Sequence, residues 1–251
     1  MLAAVIHGDA EKLAELMRQD PGFDVNMHQN GEGCTLLHYA CLDSSSSPVI
    51  PLLLAHPDID VNLKDSYGCT PFLYACCGLP GVREMLKDSR VKVNEPNDDG
   101  HTPLWVAARR CHVDIVEWWI ASGREMDLGT PGDEKTDTIG AGKMYGHTEV
   151  VSLLERFKEN PGLTRYKVRV KLGLLDDLAA KMFALVVFVS DGLLQIKDPT
   201  TTTPAARYFS IAARLPLELQ MVLCYRFVDS SKEIISGKDS EVAFKELAMK
   251  I

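Results

Sequence analysis

Short apolar runs at helical spacing recur along the first 160 residues, and each run is bracketed by the same small and polar residues. Residues 33–41 read Gly-Cys-Thr-Leu-Leu-His-Tyr-Ala-Cys, 68–76 read Gly-Cys-Thr-Pro-Phe-Leu-Tyr-Ala-Cys, and 100–108 read Gly-His-Thr-Pro-Leu-Trp-Val-Ala-Ala. In each, Gly permits the positive φ of a turn, Thr caps a helix, and Pro71 or Pro103 falls at the first helical position, where no amide hydrogen is needed. A second apolar stretch follows, as at Cys111-His112-Val113-Asp114-Ile115-Val116 and Gly146-His147-Thr148-Glu149-Val150-Val151. It predicts a second helix, with Val and Leu forming the seam between units. Each unit then closes on a polar turn: Asp24-Val25-Asn26, Asp60-Val61-Asn62 and Lys92-Val93-Asn94.

Three blocks repeating in this order, near the period of a helix-pair array, predict an all-α solenoid in which no unit buries its apolar face alone. The pattern resembles the ankyrin repeat, whose signature runs Asp-x-x-Gly-x-Thr-Pro-Leu-His-x-Ala, Gly-His, Val-Val-x-x-Leu-Leu and Gly-Ala-Asp-Val-Asn. The resemblance spans residues 1–160, read as five units with the first and last degenerate. Residues 1–30 read as an N-terminal cap or a truncated start. Units two to four cover 31–65, 66–98 and 99–133. In the fifth, Asp137 and Thr138 stand where Thr and Pro are expected, and Gly140 and Gly142 weaken the first helix. In the second, Ser44–Ser47 and Pro48 replace the inter-helix Gly-His, which predicts a longer, mobile loop.

Residues 161–251 lack the repeat and read as a helical C-terminal region, either a cap on the last unit or a small domain. Leu174, Leu178, Met182, Leu185 and Val189 share one helical face, Lys197 to Pro204 reads as a linker, and Leu217 to Val228 is apolar nearly all round and is expected to be buried. Residues 166–172 alternate with period two, but with no partner strand nearby a helix is favoured. Leu215-Pro216-Leu217-Glu218 is similar to the opening of an F-box, although a helix with Pro in its first turn reads the same way.

Charge divides along the same line. Residues 1–161 hold 14 Lys+Arg against 25 Asp+Glu, while the whole chain carries a net -8. That balance argues against nucleic acid as a general partner. The first ten residues lack a secretory signal, and the longest apolar stretch, residues 182–189, is too short to span a bilayer, so a cytoplasmic protein without membrane partners is expected, the nucleus being equally open. The seven cysteines are expected to be reduced. Cys34 with Cys69, and Cys41 with Cys76, share repeat positions and read as apolar filler.

No catalytic, metal or cofactor motif stands out, and a non-enzyme with no cofactor is expected. The resemblance implies a monomeric scaffold that binds another protein through turn tips and first-helix ends. Mapped here, these are Glu32, Ser66, Tyr67, Asp98, Asp99 and His101 at the tips, and Leu42, Asp43, Arg109 and Arg110 on the helices. The tail suggests an alternative, a ubiquitin-ligase substrate adaptor. The resemblance also implies a modification position at Asn62, preceded by Leu54, Asp60 and Val61, for an asparaginyl hydroxylase; the same Asn equally serves the turn.

Overall fold

The computed structural model describes residues 1–78, 81–129, 137–194, 204–227, 235 and 237–249. Every regular element among them is helical. The chain divides into two compact units, Met1–Val168 and Arg169–Ile251.

The first unit is a stack of helix pairs: α1 (Leu2–Ile6) with α2 (Ala10–Gln19), α3 (Leu36–Leu42) with α4 (Ile50–Leu54), α5 (Pro71–Gly78) with α6 (Val82–Lys87), α7 (Pro103–Arg109) with α8 (Val113–Ser122), and α9 (Thr138–Met144) with α10 (Thr148–Glu159). First helices pack on first helices, and second helices on second helices. The seam is apolar: Leu36, Leu37, Ile50, Leu53, Phe72, Met85, Leu104, Ile115, Trp119 and Ile120 are fully buried or nearly so. The caps follow the sequence. Thr35 and His38 form a capping box on α3, Thr70 Oγ1 accepts from Leu73 N–H and Thr102 Oγ1 from Trp105 N–H. Asp137, which stands where Thr is expected, caps α9 just as well, accepting from Gly140 N–H at 2.6 Å.

Unit two departs from the expected loose loop. Ser44–Val49 is a 3-10 turn, capped by Asp43, whose Ser45 and Ser46 hydroxyls donate to the Ile6 carbonyl. The serines are short enough to bond backbone in place of a Gly-His turn.

Between helix pairs the chain makes fingers whose tips pair across the stack. Ser66 N–H donates to Glu32 O at 2.7 Å, and Asp98 N–H to Tyr67 O at 3.1 Å. Asn30, Asp65 and Asn97 hold the fingers from inside, their side-chain oxygens accepting from Cys34, Cys69 and His101 N–H respectively. On the opposite side of each unit, an Asn bridges to the following turn. Asn26 takes Asp58 and Asp60, Asn62 takes Arg90 and Lys92, and Asn94 takes Glu125 and Asp127. Arginines tie the same edge: Arg90 donates to Leu54 O, Arg124 to Asp88 and Val91 O, and Arg165 to Ile120 O.

Arg165 belongs to α11 (Pro161–Lys171), which covers the region where a strand was the competing reading. Thr164 Oγ1 donates to Arg156 O, and Val168 is buried, so the start of this helix is part of the first unit.

The second unit is built from α12 (Leu175–Ser190), α13 (Pro204–Ala212), α14 (Leu217–Phe227) and α15 (Gly237–Ala248), with the other three packed on α12. Its core is Ala179, Ala180, Phe183, Ala184 and Val186 with Ala212, Cys224, Tyr225, Ile235 and Ala243. The residues that share one helical face from Leu174 to Val189 are half-buried, because α12 is apolar on most sides and its alanine face admits the closest approach. In α14 the expected burial fails: Leu217 and Leu219 are 53% and 51% exposed, whereas Gln220 is buried and donates to Leu215 O and Ser190 Oγ. Residues 195–203, which hold most of the expected linker, lie outside the described residues.

Candidate functional site

Two rows of residues on the first unit repeat with the period of the stack and face solvent. The first is the fingertips. Glu32, Ser66, Tyr67, Asp98 and Asp99 are all exposed, and Tyr67, 57% exposed, donates its hydroxyl to Glu32 Oε1 at 3.4 Å. The structure therefore brings five of the six predicted tip residues into one row. His101 is placed differently: it is 8% exposed and stacks on Trp105 at 3.9 Å. Its ring turns inward because a buried indole, one helical turn further on, offers an apolar face that water does not.

The second row is the C-terminal ends of the first helices. Two residues after the small residue of each repeat (Ala4, Ala40, Ala75, Ala107, Gly142) stand Ile6, Leu42, Cys77, Arg109 and Met144. Ile6, Leu42 and Met144 are 45%, 50% and 55% exposed, Arg109 is exposed and Cys77 half-buried. Leu42 and Arg109 were among the candidates named from sequence; Ile6 and Met144 were not, and the structure places them in the same row. The fixed offset from the small residue was the signal, hidden because the first and last units lack the Gly-x-Thr opening. Beside the row, Asp43 accepts from Ser45 N–H, which holds its carboxyl below the usual range.

Histidines lock this edge. Thr35 N–H donates to His38 Nδ1, so Nε2 carries the proton and donates to Cys69 O at 3.1 Å; burial keeps the ring's pKa below normal. His112 Nε2 donates to Cys77 O and His147 Nε2 to Arg109 O, each reaching the preceding repeat. Arg110 Nη1 shares the Cys77 carbonyl at 3.3 Å.

All seven cysteines are free, and burial raises the thiols of Cys41 and Cys76 well above normal. Cys69 is pushed up to about 11 by burial and by the Asp65 carboxylate beside it. No group of His, Cys, Asp or Glu among the described residues is arranged to hold a metal. Asn62 has its amide nitrogen and oxygen both committed to the next turn, at 2.9 and 2.8 Å. A groove of about 490 Å³ runs along the second helices between Pro48, Pro51, Val82 and Trp118, with Arg83 4.7 Å above the Trp118 ring. Trp119 is the buried member of that tryptophan pair, and Trp118 the half-exposed one. No described helix is long and apolar enough to cross a membrane.

Comparison with known proteins agrees with the period. A family model described as ankyrin repeats (3 copies) matches residues 1–95, and one described as ankyrin repeat matches residues 99–123. Over 142 residues, 54% of this chain, the sequence is 38% identical to SMC5-SMC6 complex localization factor protein 1 of Bos taurus, covering 13% of that protein. It is 30% identical over 139 residues to tyrosine-protein kinase Shark of Drosophila melanogaster and 31% identical over 102 residues to Rabankyrin-5 of Homo sapiens, covering 14% and 9% of those proteins. The likeness thus spans a small part of each relative.

Proposed function

We propose that this chain, in which residues 1–95 and 99–123 are ankyrin repeats, binds a partner protein through its fingertips and the ends of its first helices. The observation that carries the reading is the row Ile6, Leu42, Cys77, Arg109 and Met144: the same position in five successive units, with three large apolar side chains left half in water. A soluble protein that exposes apolar groups at a fixed period has a docking surface there. Tyr67 and Arg109 are of the residue types that dominate interface energetics. The matched segment covers 13%, 14% and 9% of three relatives with different names, as a detachable binding module would. The role is binding, without a reaction of its own.

The test is affinity capture from an extract of the source cells, with the wild-type chain and with Leu42→Glu plus Met144→Glu. A protein retained by the first and lost by the second, at unchanged circular dichroism, is the expected result. Capture that survives the double substitution sinks the reading. The ligase-adaptor alternative rests on Leu217 and Leu219, exposed at the start of α14 beside Pro216. It requires that a ligase scaffold be captured and then lost on Leu217→Glu plus Leu219→Glu.

A further inference from the structure

Arg109 is the last residue of α7 and occupies the docking row between Cys77 and Met144. Its guanidinium carbon lies 5.4 Å from the centre of the Trp105 ring and 5.2 Å from that of Tyr145. Each ring is itself backed by a histidine: His101 stacks on Trp105 at 3.9 Å, and His147 on Tyr145 at 6.3 Å. Trp105 is fully buried and His147 is bonded to the Arg109 carbonyl, so both are held in place.

A cation is attracted to the negative faces of aromatic rings, and guanidinium stacks on them better than ammonium does. The Arg109 side chain has therefore lost much of its rotamer freedom before any partner arrives, which removes a cost that a free surface arginine meets on binding. A guanidinium donates hydrogen bonds only in its own plane, from its edge. The contacts with Trp105 and Tyr145 are ring contacts that use none of these hydrogen bonds.

No described residue of the first unit takes that edge. Among the described residues the Arg109 side chain has no hydrogen bond and no ion pair, although residues 1–161 hold 25 Asp+Glu. The other arginines at repeat boundaries are all engaged: Arg90 with Asp88 and Leu54 O, Arg124 with Asp88 and Val91 O, Arg165 with Ile120 O. Arg110 adds a second positive charge beside it, directed toward the Cys77 carbonyl.

We infer that the edge of Arg109, held against Trp105 and Tyr145, is the receptor for an Asp or Glu side chain of the partner, seated among apolar residues that fill the Leu42 and Met144 positions. The inference rests on the docking row proposed above. A carboxylate fits the planar fork of a guanidinium through two parallel hydrogen bonds. A phosphate would carry up to two negative charges into the most acidic part of the chain with only Arg109 and Arg110 to balance them, so the single charge is favoured.

The experiment is selection of short random peptides on the full chain, followed by measured affinities of the recovered peptides. The expected result is a shared Asp or Glu at one register with apolar residues near it. Changing that acid to its amide should weaken binding to the wild-type chain about tenfold, and to Arg109→Gln less than about twofold. Arg109→Lys, which keeps the charge and loses the fork, should restore only part of the difference. Equal circular dichroism and urea midpoints confirm that both variants fold. Recovered peptides without a shared acid, an amide substitution that costs the same on wild type and Arg109→Gln, or a preference for phosphorylated over acidic residues overturns the anchor while leaving the row intact. Peptides that bind equally well after Leu42→Glu plus Met144→Glu, or no recovered peptide at all, overturn the row and the anchor with it.

Discussion

Cys111 holds a backbone angle that glycine holds at the same inter-helix turn elsewhere: φ is +60° at Cys111, against +75° at Gly146 and +65° at Gly8. For an L residue with a side chain that region costs roughly 1–2 kcal/mol. Replacing Cys111 with Gly should therefore raise the urea unfolding free energy by about 1 kcal/mol, after the entropy that glycine adds to the unfolded chain. Gly146→Ala, where a Cβ meets open space but φ stays positive, should lower it by about 1 kcal/mol. Equal stability of Cys111→Gly and wild type would mean that the turn relaxes without cost. His38 supplies the pH dependence at this scale. Its folded pKa lies below the ordinary 6.5, first because burial penalises the charged ring, against the opposing pull of the Cys69 carbonyl and Asp65. The unfolded chain therefore binds this proton more readily than the folded one does, and stability falls as pH drops below 6.5 toward the folded value. Protonating Nδ1 also removes the acceptor for Thr35 N–H and for the Thr35 hydroxyl. Urea titrations of wild type and His38→Gln on either side of that window should show a smaller acid loss in the variant; identical slopes would remove His38 as the source.

At the scale of the element, what the sequence discloses depends on how local the cause is. The fingers and caps were legible because Gly33, Thr35, Pro71 and Pro103 act on the backbone within a few residues of themselves. The role of Asn62 as a turn residue was legible too, but its reach was not: its amide bonds Arg90 and Lys92, one repeat later, and so joins two units as well as one turn. Asn62→Ala removes both bonds and should lower stability by about 2 kcal/mol, measured by urea unfolding. Asn62→Asp keeps the acceptor for Lys92 N–H and loses the donor to Arg90 O, and should fall between. A loss below about 0.5 kcal/mol in Asn62→Ala would show that water replaces the bridge. The buried side of α12 was not legible, because a helix with apolar groups on most sides offers several apolar faces, and the leucine stripe is a different one from the Ala179, Ala180, Phe183 and Ala184 face that the core uses. The Arg109 clamp escaped for the same reason as the Asn62 bridge: Trp105 lies in the same helix, but Tyr145 belongs to the next repeat.

For the whole molecule, the sequence places the end of the repeats at residue 160, where the ankyrin pattern fades, while the compact first unit runs on to Val168. The difference is eight residues of α11 that carry no repeat signature yet do the work of a closing element for the first unit. Arg165 reaches the Ile120 carbonyl at 3.2 Å and lies 6.0 Å from the Phe157 ring, Thr164 bonds Arg156 O at 2.9 Å, and Val168 is buried. In an array held by nearest-neighbour packing, an end unit without a closing element leaves an apolar side in water. A chain ending at residue 161 and one ending at residue 171 should therefore behave differently. The longer keeps two hydrogen bonds and a buried valine that the shorter lacks, worth about 2–4 kcal/mol together. The expected result is a lower urea midpoint for the shorter chain, with increased binding of a hydrophobic dye as the α8 and α10 faces are exposed. Arg165→Ala in the longer chain should reproduce part of that loss, because it removes one of the bonds and keeps the valine. If the two chains unfold at the same urea concentration and bind dye equally, α11 contributes nothing to the stack, and the stability of the first unit ends with α10.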